Sequence, residues 1–196
     1  MARRAIDNRE ELDAAMIEAA QAMIRKDGAA SLTARSIARQ LGVSVGTVYN
    51  VHGSMDGLIE AVNARTLARL EREIAAIDVG QGSVEDVLVA FAERYMTYVQ
   101  NNLNLWSVLF EGQLSDAANV NQVRIDRLFG FLEKALEPVA HDAEIRARSA
   151  RVLWASVHGI LQMAFTCRLQ LLKIDDVKAV VRHAIACHLA GLAAKS

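Results

Sequence analysis

Apolar residues recur every three or four positions along most of this chain, which is the spacing of one face of an α-helix. Leu12, Ala15, Met16, Ala19, Ala20, Met23 and Ile24 set the pattern and predict a helix over 9–26. Asn8 stands where it caps that helix, with Glu11 three residues on as a capping box, and Gly28 ends it. Thr33 caps a second helix that runs to Leu41, where Gly42 supplies a left-handed stop. Ser44 caps a third short helix to about Val51, and Ser54 caps a long fourth helix over about 54–77, with Asp56 in its first turn. The stretch "DVGQGS" at 78–83 then breaks the pattern. Ser83 with Asp86 opens a fifth helix to about Gln100, and "NNLN" interrupts it. Further helices fit 105–114, 119–136, 142–172 and 175–192. No run alternates at period two between turn residues, so the fold class read from the pattern is all-α.

The second and third helices raise a question that the others do not. Gly42 stops one helix and Ser44 starts another, and the second of the pair carries little apolar surface. Ile37, Leu41 and Val48 suffice for a small core between two steeply crossing helices, Ala38 is small at their closest approach, and Val43 fills the gap under the turn. This is the helix-turn-helix pattern, whose second helix enters the major groove of DNA. The exposed side of that helix is then Ser44, Val45, Gly46, Thr47, Tyr49 and Asn50. The hydroxyls suit phosphates, Asn50 suits base edges, Val45 suits a thymine methyl, and Gly46 lets backbone come close. Arg35 reaches a guanine or a phosphate from the preceding helix, and the helix starts at Thr33 and Ser54 offer backbone amides to phosphates.

Charge sharpens this reading. The net charge is only −1, so no global field marks a nucleic-acid partner. Yet no acidic residue falls between Asp27 and Asp56, a window that holds Arg35 and Arg39, and Arg3 and Arg4 lie at the N-terminus.

The segment "GAASLTARSIARQLGVSVGTVYNVHGSMDGLIEAV" resembles the N-terminal domain of TetR-family transcriptional regulators. The resemblance implies a three-helix DNA-binding domain over 1–55, joined by helix four to a helical ligand-binding and dimerisation domain over 56–196. It also implies a homodimer on a palindromic operator, usually a repressor, released when a small-molecule effector binds. Three positions depart from the family's habit: Val45 where a lysine is common, His52 where an aromatic is common, and Met55 where a lysine is common. Met55 cannot hold a phosphate by charge, whereas His52 either takes part of that role when protonated or only packs.

"WASVHG", residues 154–159, resembles the WHG-type C-terminal domain of some of these regulators. Trp154 and His158 are four apart and share a helix face, and Gly159 admits a neighbouring helix. They form either one wall of an effector cavity or a core aromatic with a satisfied histidine. Tyr95, Trp106, Phe110 and Gln162, with Phe129 and Phe165, are further candidates for that lining and equally for core. The segment 152–167 is apolar nearly all round and needs cover on both sides. Together with the stripe Val177, Val181, Ala184, Ile185, His188 and Leu192, and with Ala186, Ala190 and Gly191 beside it, it predicts a four-helix interface between two copies.

Other functions find little here. A di-metal bundle needs Glu-x-x-His spacing, which does not occur, and no Cys-x-x-Cys, phosphate loop or nucleophile elbow is present. The expectation is therefore no enzyme, no cofactor and no metal. Cys167 and Cys187 read as buried thiols of a reducing compartment. The start "MARRAIDNREE" has no apolar run behind its arginines, and 152–167 is too short to span a bilayer, so a soluble cytoplasmic protein without membrane partners is expected. The competing reading is a helical ligand-binding or adaptor protein whose DNA binding has weakened.

Overall fold

The computed structural model describes residues 9–111, 119–165 and 173–194. Nine α-helices and a 3-10 turn, Ala29–Ser31, make up the regular structure of these residues, and none of them forms a strand. The helices are α1 (Arg9–Asp27), α2 (Ala34–Leu41), α3 (Val45–His52), α4 (Met55–Ala75), α5 (Val84–Asn101), α6 (Leu103–Glu111), α7 (Asn119–Leu136), α8 (Ala143–Phe165) and α9 (Val177–Ala193). The expected cap Asn8, Arg3 and Arg4, and Cys167 lie outside the described residues.

The chain divides into two compact units. One spans 1–69 and 99–124, the other 70–98 and 125–196, so that α4, α5 and α7 each contribute to both.

The first unit is built on the apolar stripe of α1. Met16, Ala20 and Ile24 are wholly buried, and with Ile37 of α2, Val48 of α3 and Leu58 and Val62 of α4 they form one core. Removing each large side chain of this kind from water is worth about 1.5–3 kcal/mol, which is what fixes the short helices α2 and α3 despite their poor intrinsic stability. α6 joins the same core through Leu105 and Val108, and Asn104 Nδ2 donates to the Arg25 carbonyl at the end of α1 at 3.0 Å. One polar pair is sealed in this unit. Gln21 Nε2 donates to Thr66 Oγ1 at 3.4 Å, and Thr66 in turn donates to the Val62 carbonyl at 2.8 Å.

In the second unit the interior residues of α5 include Val87, Leu88, Phe91 and Tyr95, those of α8 include Leu153, Val157 and Leu161, and those of α9 are Val181, Ile185 and Leu192. α8 and α9 pack on each other. Helix starts use the residues that the sequence puts there. Ser83 and Asp86 bond reciprocally at α5, Asp142 accepts from the Ile145 amide at α8, and Asp176 accepts from the Ala179 amide at α9. The capping bonds from Ser83 hold the Asp86 carboxyl below its ordinary pKa.

One sequence expectation fails in this unit. Cys187 is exposed rather than buried, because it sits on α9 away from the Val181, Ile185 and Leu192 stripe. Its Sγ lies 3.5 Å from His183 Nε2, one turn back on the same exposed side.

Candidate nucleic-acid interface

The turn between α2 and α3 is closed by local chemistry alone. Thr33 Oγ1 accepts from the Ser36 amide at 3.0 Å and the Ser36 hydroxyl accepts from the Thr33 amide at 3.0 Å, a complete capping box. Gly42 ends α2 at φ 71°, the left-handed region where a Cβ is penalised. The Val43 amide donates back to the Ala38 carbonyl at 3.0 Å, which tightens the turn. Ser44 Oγ then accepts from the Thr47 amide at 3.1 Å and starts α3.

Within α3 only Val48 is fully buried, at 0% exposure. Val51 is half-buried, whereas Val45, Gly46, Tyr49 and Asn50 are exposed. Val45 is 37% and Tyr49 44% exposed, and the two lie one turn apart on the same face. A Cβ added at Gly46 meets nothing closer than Ser44 Oγ at 3.6 Å, so no packing within the chain demands a glycine there. Glycine is a poorer helix former than alanine, and its presence in the first turn of α3 leaves bare backbone on the exposed side of the helix.

The two hydroxyls of this segment are partly committed. Ser44 Oγ and Thr47 Oγ1 lie 2.8 Å apart and share a hydrogen bond, and Thr47 is half-buried. Thr33 is exposed, but its hydroxyl is engaged with Ser36. Arg35 and Arg39 are both exposed on α2, and neither joins an ion pair among the described residues.

His52 is not on this surface. Its imidazole is 5% exposed and turned back toward α1, with Nε2 3.5 Å from Asp13 Oδ1. Burial pushes its pKa below the ordinary 6.5, against the pull of the Asp13 carboxylate. Of the two roles open to His52 in the sequence, the geometry favours packing. Met55 is likewise half-buried against the core of the first unit. Neither the Asp13 partner nor the exposure of Arg39 was singled out from sequence. Asp13 lies 39 positions from His52, too far for any local pattern to link them, while Arg39 stood in the acid-free window and carried that signal.

Several of the residues named as cavity candidates meet within the second unit. Tyr95 Oη lies 3.0 Å from His158 Nδ1, the Trp154 and His158 rings are 4.6 Å apart, and Phe129 meets Trp154 edge-on at 5.8 Å. The Arg151 guanidinium stands 4.9 Å over the Phe129 ring. Burial lowers the pKa of His158, and the imidazole shares a hydrogen bond with the Tyr95 phenol in which the tautomer decides which group donates. Gln162 is exposed one turn on. Trp106 and Phe110 belong to the other compact unit, where their rings pair at 5.3 Å, Trp106 buried and Phe110 exposed.

Two family profiles match the sequence. Residues 16–62 match the bacterial regulatory proteins of the tetR family, and residues 88–188 match the tetracyclin repressor-like C-terminal domain. The chain belongs to the TetR family. As a member it is a DNA-binding transcriptional regulator and not an enzyme. The first match runs from within α1 into α4 and so contains the whole helix-turn-helix.

Solved structures show the same fold at low identity. A protein of unknown function from Rhodococcus sp. RHA1 superposes with a TM-score of 0.78 at 20% identity, over 97% of this chain and 100% of its own. A TetR transcriptional regulator from the same organism gives 0.69 at 17% identity, over 93% and 98%. A tetR-family transcriptional regulator from Streptomyces coelicolor gives 0.67 at 18% identity, over 95% and 84%. No curated protein matches the sequence. Among the described residues of this TetR-family chain, no helix is long and apolar enough to cross a membrane.

Proposed function

We propose that this TetR-family protein is a cytoplasmic, effector-responsive repressor that binds a palindromic operator as a homodimer. The observation that carries the reading is α3 itself, anchored by Val48 while Val45, Gly46, Tyr49 and Asn50 face outward. In this reading α3 lies in the major groove. Asn50 and Val45 read bases, the hydroxyls of Tyr49 and of the Ser44–Thr47 pair contact phosphates, Gly46 admits the backbone, and Thr33 and Arg35 hold the flanking strand. His52 packs behind α3 toward α1, its Nε2 3.5 Å from Asp13 Oδ1 without a hydrogen bond.

The dimer surface in this reading is the outer side of α8 and α9. Val152, at 45% exposure, Ser156 and Gly159 align on α8, and Cys187, Ala190 and Gly191 are exposed on α9. A Cβ added at Gly159 or Gly191 meets nothing within 4 Å, whereas one at Gly46 meets Ser44 Oγ at 3.6 Å. For the effector, the Tyr95–His158 pair with Trp154 supplies a polar group set in aromatic surface, the combination that orients a small molecule.

Fluorescence anisotropy on duplexes, with salt titration, tests the reading. Binding by α3 must weaken steeply as salt rises, because phosphate contacts release counterions. Salt-insensitive binding, or none, favours the second reading, an adaptor with weakened DNA affinity, which the packing of Met55 into the core supports. Light scattering tests the dimer, and native mass spectrometry of purified protein tests for a co-purified effector.

A further inference from the structure

The chemistry that α3 exposes also restricts which bases it reads. α3 carries no Lys, Arg, Asp or Glu, and its histidine is turned inward. The commonest specific contact to guanine needs the bidentate donors of Arg or Lys on O6 and N7, and cytosine is read by a carboxylate accepting from N4. Neither tool is on this helix. The Ser44 and Thr47 hydroxyls are partly committed to each other and to the helix cap, and since a hydroxyl serves either kind of base they set no preference.

What remains outward is an apolar ridge and one amide. Val45 and Tyr49 form the ridge, and Asn50 stands beside it, one turn beyond Gly46. Exposed apolar side chains at the start of a helix gain nothing from water, whereas the thymine C5-methyl group is an apolar knob on the major-groove floor. The Asn amide matches N6 and N7 of adenine. With no side chain on Gly46, the ridge and the amide reach the floor together.

We propose that α3 selects A·T pairs, with Val45 and the Tyr49 ring against thymine methyls and Asn50 on adenine, and that any guanine contact falls to Arg35 at the edge of the site. This rests on α3 being the groove-reading helix, and it specifies the class of operator that helix accepts.

The test uses the full chain and duplexes selected from a random pool. Deoxyuridine in place of thymine within the selected half-site removes the methyl group and leaves the base-pairing intact. Each contacted thymine so changed should weaken binding about fourfold, the scale of one buried methyl. Val45→Ala, at an exposed site where folding is checked by circular dichroism, should remove most of that sensitivity, and Val45→Thr, which keeps one methyl, should retain part of it. Asn50→Ala should lose about tenfold of its preference for adenine. Selected duplexes with guanine at the centre of each half-site, or salt-sensitive binding that ignores uracil, overturn the base preference and leave the DNA-binding reading standing. Failure to bind any duplex in a salt-dependent way overturns both.

Discussion

The helices α3 and α8 spend their residues in opposite ways. α3 has eight residues, of which one is fully inside, while α8 has twenty-three and buries Ser149, Ala150, Leu153, Val157 and Leu161. Both nevertheless carry an exposed glycine that nothing in the chain crowds, Gly46 in the first turn of α3 and Gly159 within α8. A helix sequence bound only by its own core would place alanine at either site. What separates the two helices is the surface around the glycine: Tyr49, Asn50 and Val45 on α3 combine polar and apolar readers, whereas Val152 and Ser156 on α8 are small or aliphatic. The first suits a groove edged by phosphates, the second another helix.

The sharpest way to break this contrast is to attack the one core that holds α3 in place. Ile37 is wholly buried between α2 and the rest of the first unit, so Ile37→Ala should cost about 3 kcal/mol and abolish duplex binding. Leu161→Ala, equally buried on α8, should cost a similar amount yet leave duplex affinity per folded molecule much less changed. Urea denaturation and anisotropy on both variants decide it. If both lose DNA binding in proportion to stability alone, α3 has no special dependence on its core.

A second comparison separates folding from recognition within α3. Gly46→Ala should hold stability or raise it by a few tenths of a kcal/mol, because alanine favours the helix even in its first turn and the added Cβ has room. The same change should weaken duplex binding about tenfold, since the extra methyl stands where the duplex must come close. Stability and affinity moving together would remove the argument that the glycine serves an outside partner.

The sequence made α3 legible because its role depends on residues within one short segment. Gly42, Ser44 and Val48 dictate the turn, the cap and the anchor by local rules, and α7 begins and ends at Asn119 and Leu136 as the periodicity predicts. What it left unread are partners far apart in the chain. The apolar face of α6 was visible, but not that Leu105 and Val108 would enter the core beside Met16 and Ile24. The break before α6 was placed at "NNLN", yet Asn101 completes α5 and Asn104 already belongs to α6, where its side chain answers the Arg25 carbonyl. Tyr95 and His158 were both candidates, but only the fold brings a phenol and an imidazole 63 positions apart to 3.0 Å. Periodicity tells which face of a helix is apolar and not what it meets.

The two inward histidines give a pH contrast between the units. Burial lowers the pKa of both His52 and His158 from 6.5, so each is neutral in the folded chain where the unfolded chain takes up a proton. Their contribution to stability is complete above about pH 6.5 and is lost as pH falls from there through the lowered folded values. Urea midpoints should therefore drop between pH 7 and pH 5. His158→Asn should flatten part of that slope.

The smallest of these effects lies at Gly159. If its bare backbone serves a second copy, Gly159→Ala keeps α8 folded, since nothing in its own chain lies within 4 Å of the new Cβ, and gains a few tenths of a kcal/mol of helix stability. The added methyl should nevertheless shift the monomer–dimer balance toward monomer by several-fold in sedimentation or light-scattering titrations, because helices that meet at glycine cannot close the same gap over alanine. An unchanged dimerisation constant would leave Gly159 without an outside partner. The likeness between α3 and α8 would then reduce to coincidence, since only Gly46 would face something the chain itself does not supply.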